Sequence, residues 1–116
     1  METKNLVNEI VEIIQSKKGF DISVLNLKNL SAVADYFIIC SGDVDVHVRA
    51  IADEIDKKLR KDGIKCYNKE GYNASNWVLI DYFDVVVHVF KKDARIFYNL
   101  EKLWGDAEIT EIENSN

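Results

Sequence analysis

The 116-residue sequence contains no proline and only two cysteines. It also contains no internal repeats and no low-complexity stretches, so we predict a single compact unit. Cys40 and Cys66 lie far apart, without a Cys-x-x-C motif and without a histidine at metal-ligand spacing. This pattern is typical of reduced cysteines in an intracellular protein, and we expect a cytoplasmic location.

Long hydrophobic runs are missing as well, and the acidic residues Glu2 and Glu9 fall within the first ten positions. We therefore expect no secretory signal, no transit peptide and no membrane span. Basic residues are in the minority, because 15 Lys and Arg stand against 20 Asp and Glu, for a formal net charge of −5. Since an acidic domain repels phosphate backbones, we expect no direct nucleic-acid readout and favour a basic protein partner.

What the sequence does contain is enough hydrophobic residues, 47% of the total, for a core without disulfides or metals. Helical periodicity predicts helices over residues 4–17 and 44–61, the second capped by Asp43. Strands are predicted over residues 20–27, 36–40 and 64–67. Residues 68–76 are predicted to form a polar loop.

A third helix is predicted to begin at Asp93 and to end before Gly105. Its apolar residues are Ile96, Phe97, Leu100, Leu103 and Trp104. The predicted order is therefore α-β-β-α-β-β-β-α, an α/β fold in which helices pack on a mixed sheet of about five strands. Residues 1–107 would form one domain, and residues 108–116 a flexible acidic tail.

The segment between Asn76 and Lys91 is the most informative part of the chain. Two apolar arms joined at Asp81-Tyr82-Phe83-Asp84 predict an antiparallel hairpin. If Tyr82 and Phe83 form a two-residue turn, three pairs share one side: Asp81 with Asp84, Leu79 with Val86, and Trp77 with His88. The other side is wholly aliphatic and is predicted to be core: Val78, Ile80, Val85, Val87 and Val89.

The first side of this hairpin combines Trp77, His88 and Phe90 with the carboxylates of Asp81 and Asp84. Such a mixed surface is typical of a site that contacts a partner. The alternative is that a helix or loop of the same chain covers it.

Catalytic and ligand-binding interpretations are less well supported by these residues. Ser41-Gly42 precedes a helix, where phosphate-binding turns occur, but Asp43 and Asp45 place negative charge where a phosphate would lie. No nucleophile is placed to be activated by His88, and Cys40 ends an apolar strand. We therefore predict no catalytic residues, no cofactor and no metal.

Four segments then occur in a characteristic order: residues 34–42, which end in Ser41-Gly42; residues 47–54; the hairpin arms; and residues 97–107, which contain Leu-Glu-Lys-Leu-Trp-Gly-Asp-Ala. Together they closely resemble the ribosomal silencing factor family, also called RsfS or Iojap-like. The resemblance covers about residues 4–107.

The resemblance implies a degenerate nucleotidyltransferase fold without catalysis, and residues 64–67 lack the acid-x-acid pair that a working enzyme uses. It also implies binding to the large ribosomal subunit through that subunit's universal fourteenth protein. Occupying that face would sterically block association with the small subunit and repress translation when nutrients are scarce. The predicted partner-binding residues are Glu70, Trp77, Asp81, Tyr82, Asp84, His88, Phe90, Glu101 and Trp104.

Two departures from the family pattern and two alternative functions remain. Phe83 stands where the family usually has Gly, and Asp43-Val44 stand where Thr-Ser is usual. A non-Gly residue disfavours positive φ, so the hairpin turn is expected to change type or to carry strain. The alternatives are a nucleotidyltransferase-type nucleotide-binding enzyme and a surface used for a homodimer.

Overall fold

The chain folds around one six-stranded mixed β-sheet, in a computed structural model that describes residues 2–114. The elements in chain order are α1 (Thr3–Ser16), β1 (Phe20–Asn26), β2 (Tyr36–Gly42), α2 (Asp45–Lys61), β3 (Asn68–Glu70), β4 (Trp77–Asp81), β5 (Val85–Lys91), α3 (Lys92–Tyr98), the single turn α4 (Leu100–Leu103) and β6 (Glu108–Ile112). The predicted α/β class is confirmed, with six strands rather than about five.

The sheet order is β3-β4-β5-β2-β1-β6. β2 and β5 pair in parallel, and every other neighbouring pair is antiparallel. Parallel neighbours require a long crossover, and α2 lies within the segment that connects these two strands. Both central strands are buried along almost their whole length. For β2 this confirms the prediction from the continuous apolar run over residues 36–40.

One face of the sheet is covered by α1 and α2 and holds the larger core. The apolar stripe of α2 packs inward, with Val48, Ile51, Ile55 and Leu59 fully buried. On the sheet, this face carries the aliphatic side of the β4–β5 hairpin, as predicted from the alternating pattern. The opposite face holds a smaller core that includes Leu25, Ile39, Phe90 and Leu100, beneath α3 and α4.

The predicted tail does not begin at residue 108. Glu108–Ile112 form β6, which pairs with β1 in antiparallel register from Ile22↔Ile112 to Asn26↔Glu108. Four of its five residues are exposed, so the strand is held by backbone pairing and leaves little hydrophobic pattern to detect. Residues 115–116 of the predicted tail lie outside the described residues.

The third predicted strand is displaced along the chain. Residues 64–67 are irregular, because Ile64 and Cys66 pack against the larger core without pairing in the sheet. The strand instead occupies Asn68–Glu70, inside the predicted polar loop, and pairs with β4. A short, charged strand suits this position because it lies at the edge of the sheet, where charge discourages pairing with other chains.

Asp43 does not cap α2 as predicted. The position before the helix is Val44, and no side chain accepts a hydrogen bond there. The Asp43 carboxylate instead lies 2.7 Å from Lys92 Nζ, at the start of α3. That ion pair ties the β2–α2 turn to the end of β5.

Two glycines with nearly the same backbone conformation allow a matched test of the fold. Gly71 after β3 has φ +79°, and a Cβ built there would lie 2.0 Å from the Trp77 carbonyl oxygen. Gly63 after α2 has φ +80°, with nothing within 4 Å of such a Cβ. We predict that Gly71→Ala lowers the free energy of unfolding by about 3 kcal/mol or more. Gly63→Ala should cost only about 1 kcal/mol, because it carries the left-handed penalty alone.

Urea denaturation of both variants and the parent measures the difference. Equal losses for the two variants would show that the approach of Gly71 to the Trp77 carbonyl does not constrain the β3–β4 connection.

Candidate functional site

The β4–β5 hairpin places Trp77 opposite Phe90 and Leu79 opposite His88. The predicted cross-strand pairs are therefore wrong by two residues. The turn is formed by Phe83 and Asp84 rather than by Tyr82 and Phe83, since the Tyr82 amide donates to the Val85 carbonyl at 2.9 Å. A shift of two residues leaves each side chain on its original face, so the predicted division into an aliphatic and a mixed side is correct.

Six ring side chains come together on the mixed side, and we call them the aromatic cluster: Phe37, Trp77, His88, Phe90, Tyr98 and Trp104. The Trp77 ring stacks on Phe90 with centroids 4.9 Å apart and contacts Tyr98 of α3 at 5.0 Å. Phe37 of β2 bridges His88 at 4.5 Å and Trp104 at 5.7 Å. The fold thus gathers four of the predicted site residues, Trp77, His88, Phe90 and Trp104, into one group.

Burial limits which predicted residues can contact a partner directly. Phe90 is buried in the smaller core beneath the segment containing α3 and α4, and His88 is buried against Phe37 and Trp77. The alternative that the chain covers its own hairpin is therefore realised in part. Tyr82 is also buried, but in the larger core on the opposite face. Direct contact by these three side chains is therefore ruled out in this fold. His88 and Phe90 support the surface from beneath.

The remaining predicted residues are accessible to different degrees. Trp77, Trp104 and Asp81 are half-buried, whereas Glu70 and Asp84 are exposed. Asn68 and Glu70 of β3 lie opposite Asp81 and Leu79 of β4, so Glu70 and Asp81 share the mixed face. Acidic side chains therefore border the β3–β4 side of the aromatic cluster.

Glu101 has a structural partner within the chain. Its carboxylate accepts from Arg95 Nη2 at 2.8 Å, and Arg95 also donates to Ser41 Oγ at 3.0 Å and to Ser23 Oγ at 3.2 Å. A further bond joins Arg95 to the Asp21 carbonyl. Arg95 thus anchors α3 to β1 and β2. Its bond to Ser41 also engages the hydroxyl of the Ser41-Gly42 turn, whose position before a helix is typical of phosphate-binding turns.

His88 is held in one neutral tautomer. The Trp77 indole N–H donates to His88 Nδ1 at 3.0 Å, so the imidazole proton lies on Nε2. That buried nitrogen has no hydrogen-bond partner among the described residues. Burial lowers the pKa of His88 to about 4, because the charged form would lose its hydration.

The other groups considered for chemistry are similarly unfavourable. Burial raises the pKa of the Cys40 thiol to about 12, which keeps it protonated at neutral pH. Across residues 2–114, no three His, Cys, Asp or Glu side chains form a group that could hold a metal ion. In the same range, no helix is both long and apolar enough to cross a bilayer.

Sequence reasoning missed the exposed apolar residues of α3 and α4. Ile96 and Phe97 are each 80% exposed, and Leu103 is 76% exposed. The predicted continuous helix is broken at Asn99, whose φ of +46° ends α3 after seven residues, so the apolar spacing no longer follows one face. Asn tolerates this left-handed conformation better than most residues. Asn99 within the apolar repeat was therefore the sequence signal that the helix breaks there.

The family model described as "Ribosomal silencing factor during starvation" matches residues 1–116. A ribosomal silencing factor from Halalkalibacterium halodurans is 47% identical over 97% of each chain. A crystal structure from Chromobacterium violaceum superposes with a TM-score of 0.88 at 34% identity, covering 90% of this chain and 88% of that one. A mouse protein named "Mitochondrial assembly of ribosomal large subunit protein 1" is 30% identical over 84% of this chain and 44% of its own length.

The buried imidazole predicts an acid-sensitive fold. The pKa of His88 is about 4 in the folded state, against about 6.5 in an unfolded chain, so stability is fully present above pH 6.5. Between pH 6.5 and 4 the unfolded chain takes up a proton that folded His88 does not, and the free energy of unfolding should fall by about 3 kcal/mol. Urea denaturation at pH 7 and pH 4.5 measures most of this loss.

His88→Gln is the matched control, because an amide oxygen can still accept from the Trp77 indole but does not titrate. Its stability should depend less steeply on pH over this range than that of the parent. The same pH dependence in both proteins would show that other groups cause the acid sensitivity.

Proposed function

The chain belongs to the ribosomal silencing factor family, and on that premise we propose that it binds the large ribosomal subunit through the subunit's universal fourteenth protein. Bound there, it would occupy the face to which the small subunit docks. Translation would be repressed by steric occlusion during nutrient limitation, in the cytoplasm. No bond is made or broken in this mechanism, so the protein would act as a binding factor rather than as an enzyme.

The names of the relatives support the choice of subunit. Bacterial relatives are called ribosomal silencing factors, and the name of the mouse relative refers to assembly of the large subunit. Both descriptions concern the ribosome, and the second concerns the subunit that this proposal requires.

The observation that carries the proposal is the composition of the surface over the aromatic cluster. Trp77 is half-exposed, and beside it lie Tyr98 and the strongly exposed Phe97, whose rings are 5.1 Å apart. Accessible aromatic side chains above a packed layer resemble the anchors that carry most of the binding energy in protein interfaces. Glu70, Asp81 and Asp84 add negative charge beside them, which complements a basic ribosomal protein.

The alternative of a nucleotidyltransferase-type enzyme has less support. The strand that follows α2 reads Asn68-Lys69-Glu70 and lacks the acid-x-acid pair that such an enzyme would need for metal ions. At the β2–α2 turn, the Asp43 carboxylate is paired with Lys92, and the Asp45 carboxylate lies 3.1 Å from Lys91 Nζ. These carboxylates have a structural role at the junction of β2, α2 and α3.

Charge reversal tests the acidic part of the surface. Glu70→Lys combined with Asp84→Lys alters two exposed carboxylates that have no ion-pair partner within residues 2–114. We expect binding to isolated large subunits to weaken by about tenfold or more, mainly through slower association, because charge steers the encounter. For the same reason, parental binding should weaken as salt is raised. Association rates from surface-immobilised subunits measure both effects.

Glu2→Lys with Glu12→Lys is the matched control, since these exposed acids lie at the α1 side of the molecule and change the net charge equally. If both double variants bind alike, the overall charge and not this surface controls association.

Occlusion also predicts the stoichiometry of inhibition. In a reconstituted translation system, inhibition should saturate near one copy per large subunit and should be relieved by excess small subunits, because both compete for one face. No added nucleotide should be needed for the factor to bind. Full inhibition at a small fraction of the ribosome concentration would contradict occlusion and would point to turnover.

A further inference from the structure

Two exposed aromatic rings meet at the tip of the β4–β5 hairpin, Phe83 from the turn and Tyr67 from the segment just before β3. Tyr67 is 69% exposed and Phe83 is 61% exposed, and their centroids are 4.4 Å apart at an interplanar angle of 45°. We call them the tip pair. Neither belongs to the aromatic cluster or to the two cores, so their contribution to hydrophobic burial is small.

The backbone amides of both residues of the tip pair donate hydrogen bonds to Asp81. The Tyr67 amide donates to the Asp81 carbonyl at 2.7 Å, and the Phe83 amide donates to Asp81 Oδ1 at 2.8 Å. Because the backbone at both residues is fixed, a ligand that stacks on these rings would not have to order the chain segments that carry them.

Stability of the turn does not account for a phenyl ring at position 83. Phe83 has φ +69°, a left-handed conformation that glycine adopts freely and that is unfavourable for a bulky side chain. An exposed ring in a strained conformation weakens the fold slightly and gains little burial in return. Strain of this kind is concentrated at functional sites.

Three carboxylates lie around the tip pair. Asp84 lies in the turn, Asp81 ends β4 before it, and the Asp35 backbone is next to the turn because its amide donates to the Asp84 carbonyl at 2.8 Å. Within residues 2–114, none of the three lies within ion-pair distance of a Lys or Arg side chain. The surroundings of the rings are therefore negatively charged and unneutralised, which favours a cationic ligand over an aliphatic one.

We propose that the tip pair and these carboxylates form a receptor for an arginine side chain of the ribosomal protein partner. A guanidinium can stack on a ring face by a cation–π contact while its edges donate to Asp81 or Asp84. This inference rests on the proposed function, and it names a contact outside the aromatic cluster that would set this chain's preference for its partner.

The decisive variant is Phe83→Gly, because it separates binding from stability. It should resist urea at least as well as the parent, since the left-handed strain at this position is removed. Its dissociation constant for isolated large subunits should nevertheless rise about tenfold, while Phe83→Tyr, which keeps a ring face, should bind like the parent. Val46→Ala, which removes an exposed apolar side chain from α2, is the control and should leave binding unchanged.

Phe83→Leu tests the chemistry of the ligand. Leucine keeps apolar area but has no π face, so this variant should bind as weakly as Phe83→Gly if a cation stacks there. Parental affinity for Phe83→Leu would overturn the arginine assignment. Parental affinity for Phe83→Gly would overturn the whole inference and leave the proposed function intact. Failure of the parent itself to bind large subunits would overturn both.

Discussion

The parallel pairing of β2 with β5 is the interaction on which the rest of this structure depends. It places two almost wholly buried strands at the centre of the sheet, where both faces must be covered. The crossover between them contains α2. This helix covers one face of the sheet together with α1, which comes from the start of the chain. Within residues 2–114, the other face is covered by the short segment containing α3 and α4, because the antiparallel strands on either side add no further helices.

That second cover is small, and its attachment determines what the molecule presents to solvent. Arg95 fastens α3 to β1 and β2 through the serine hydroxyls and the Asp21 carbonyl, and Leu100 inserts into the smaller core. Between these anchors, Asn99 redirects the chain and leaves Phe97 facing outward. The cover ends near Trp77, so the aromatic cluster is buried at Phe90 and open at its β4 side. The surface proposed to bind the ribosome lies at this open side, directly above the buried His88 and Phe90.

The two faces of the hairpin thus differ, because one lies in the larger core and the other carries the surface proposed for recognition. The α2 side carries the aliphatic residues and the buried Tyr82 hydroxyl, whereas the other side buries an imidazole. Neither that hydroxyl nor His88 Nε2 has a hydrogen-bond partner within residues 2–114. Burying an unpaired N–H costs free energy, and the Trp77–His88 hydrogen bond offsets only part of it. The Trp77–His88 hydrogen bond fixes the orientation of the Trp77 ring. The indole N–H is satisfied inside the fold, and the exposed part of the ring remains available for contact.

Local periodicity in the sequence determined much of this arrangement. The alternation along residues 77–90 assigns each side chain to its face, and the stripes of α1 and α2 identify their buried residues, because these features depend on neighbours in the chain. The acidic balance and the family resemblance are likewise properties of the sequence alone. Tertiary structure decided which face was covered, where β6 closes the sheet, and that the turn falls at Phe83-Asp84. These features depend on contacts between distant segments and on backbone pairing, which leaves no periodic pattern of side chains in the sequence. β6 pairs with β1, about 85 residues earlier, and the Asp84 carbonyl accepts from the amides of Asp35 and Tyr36.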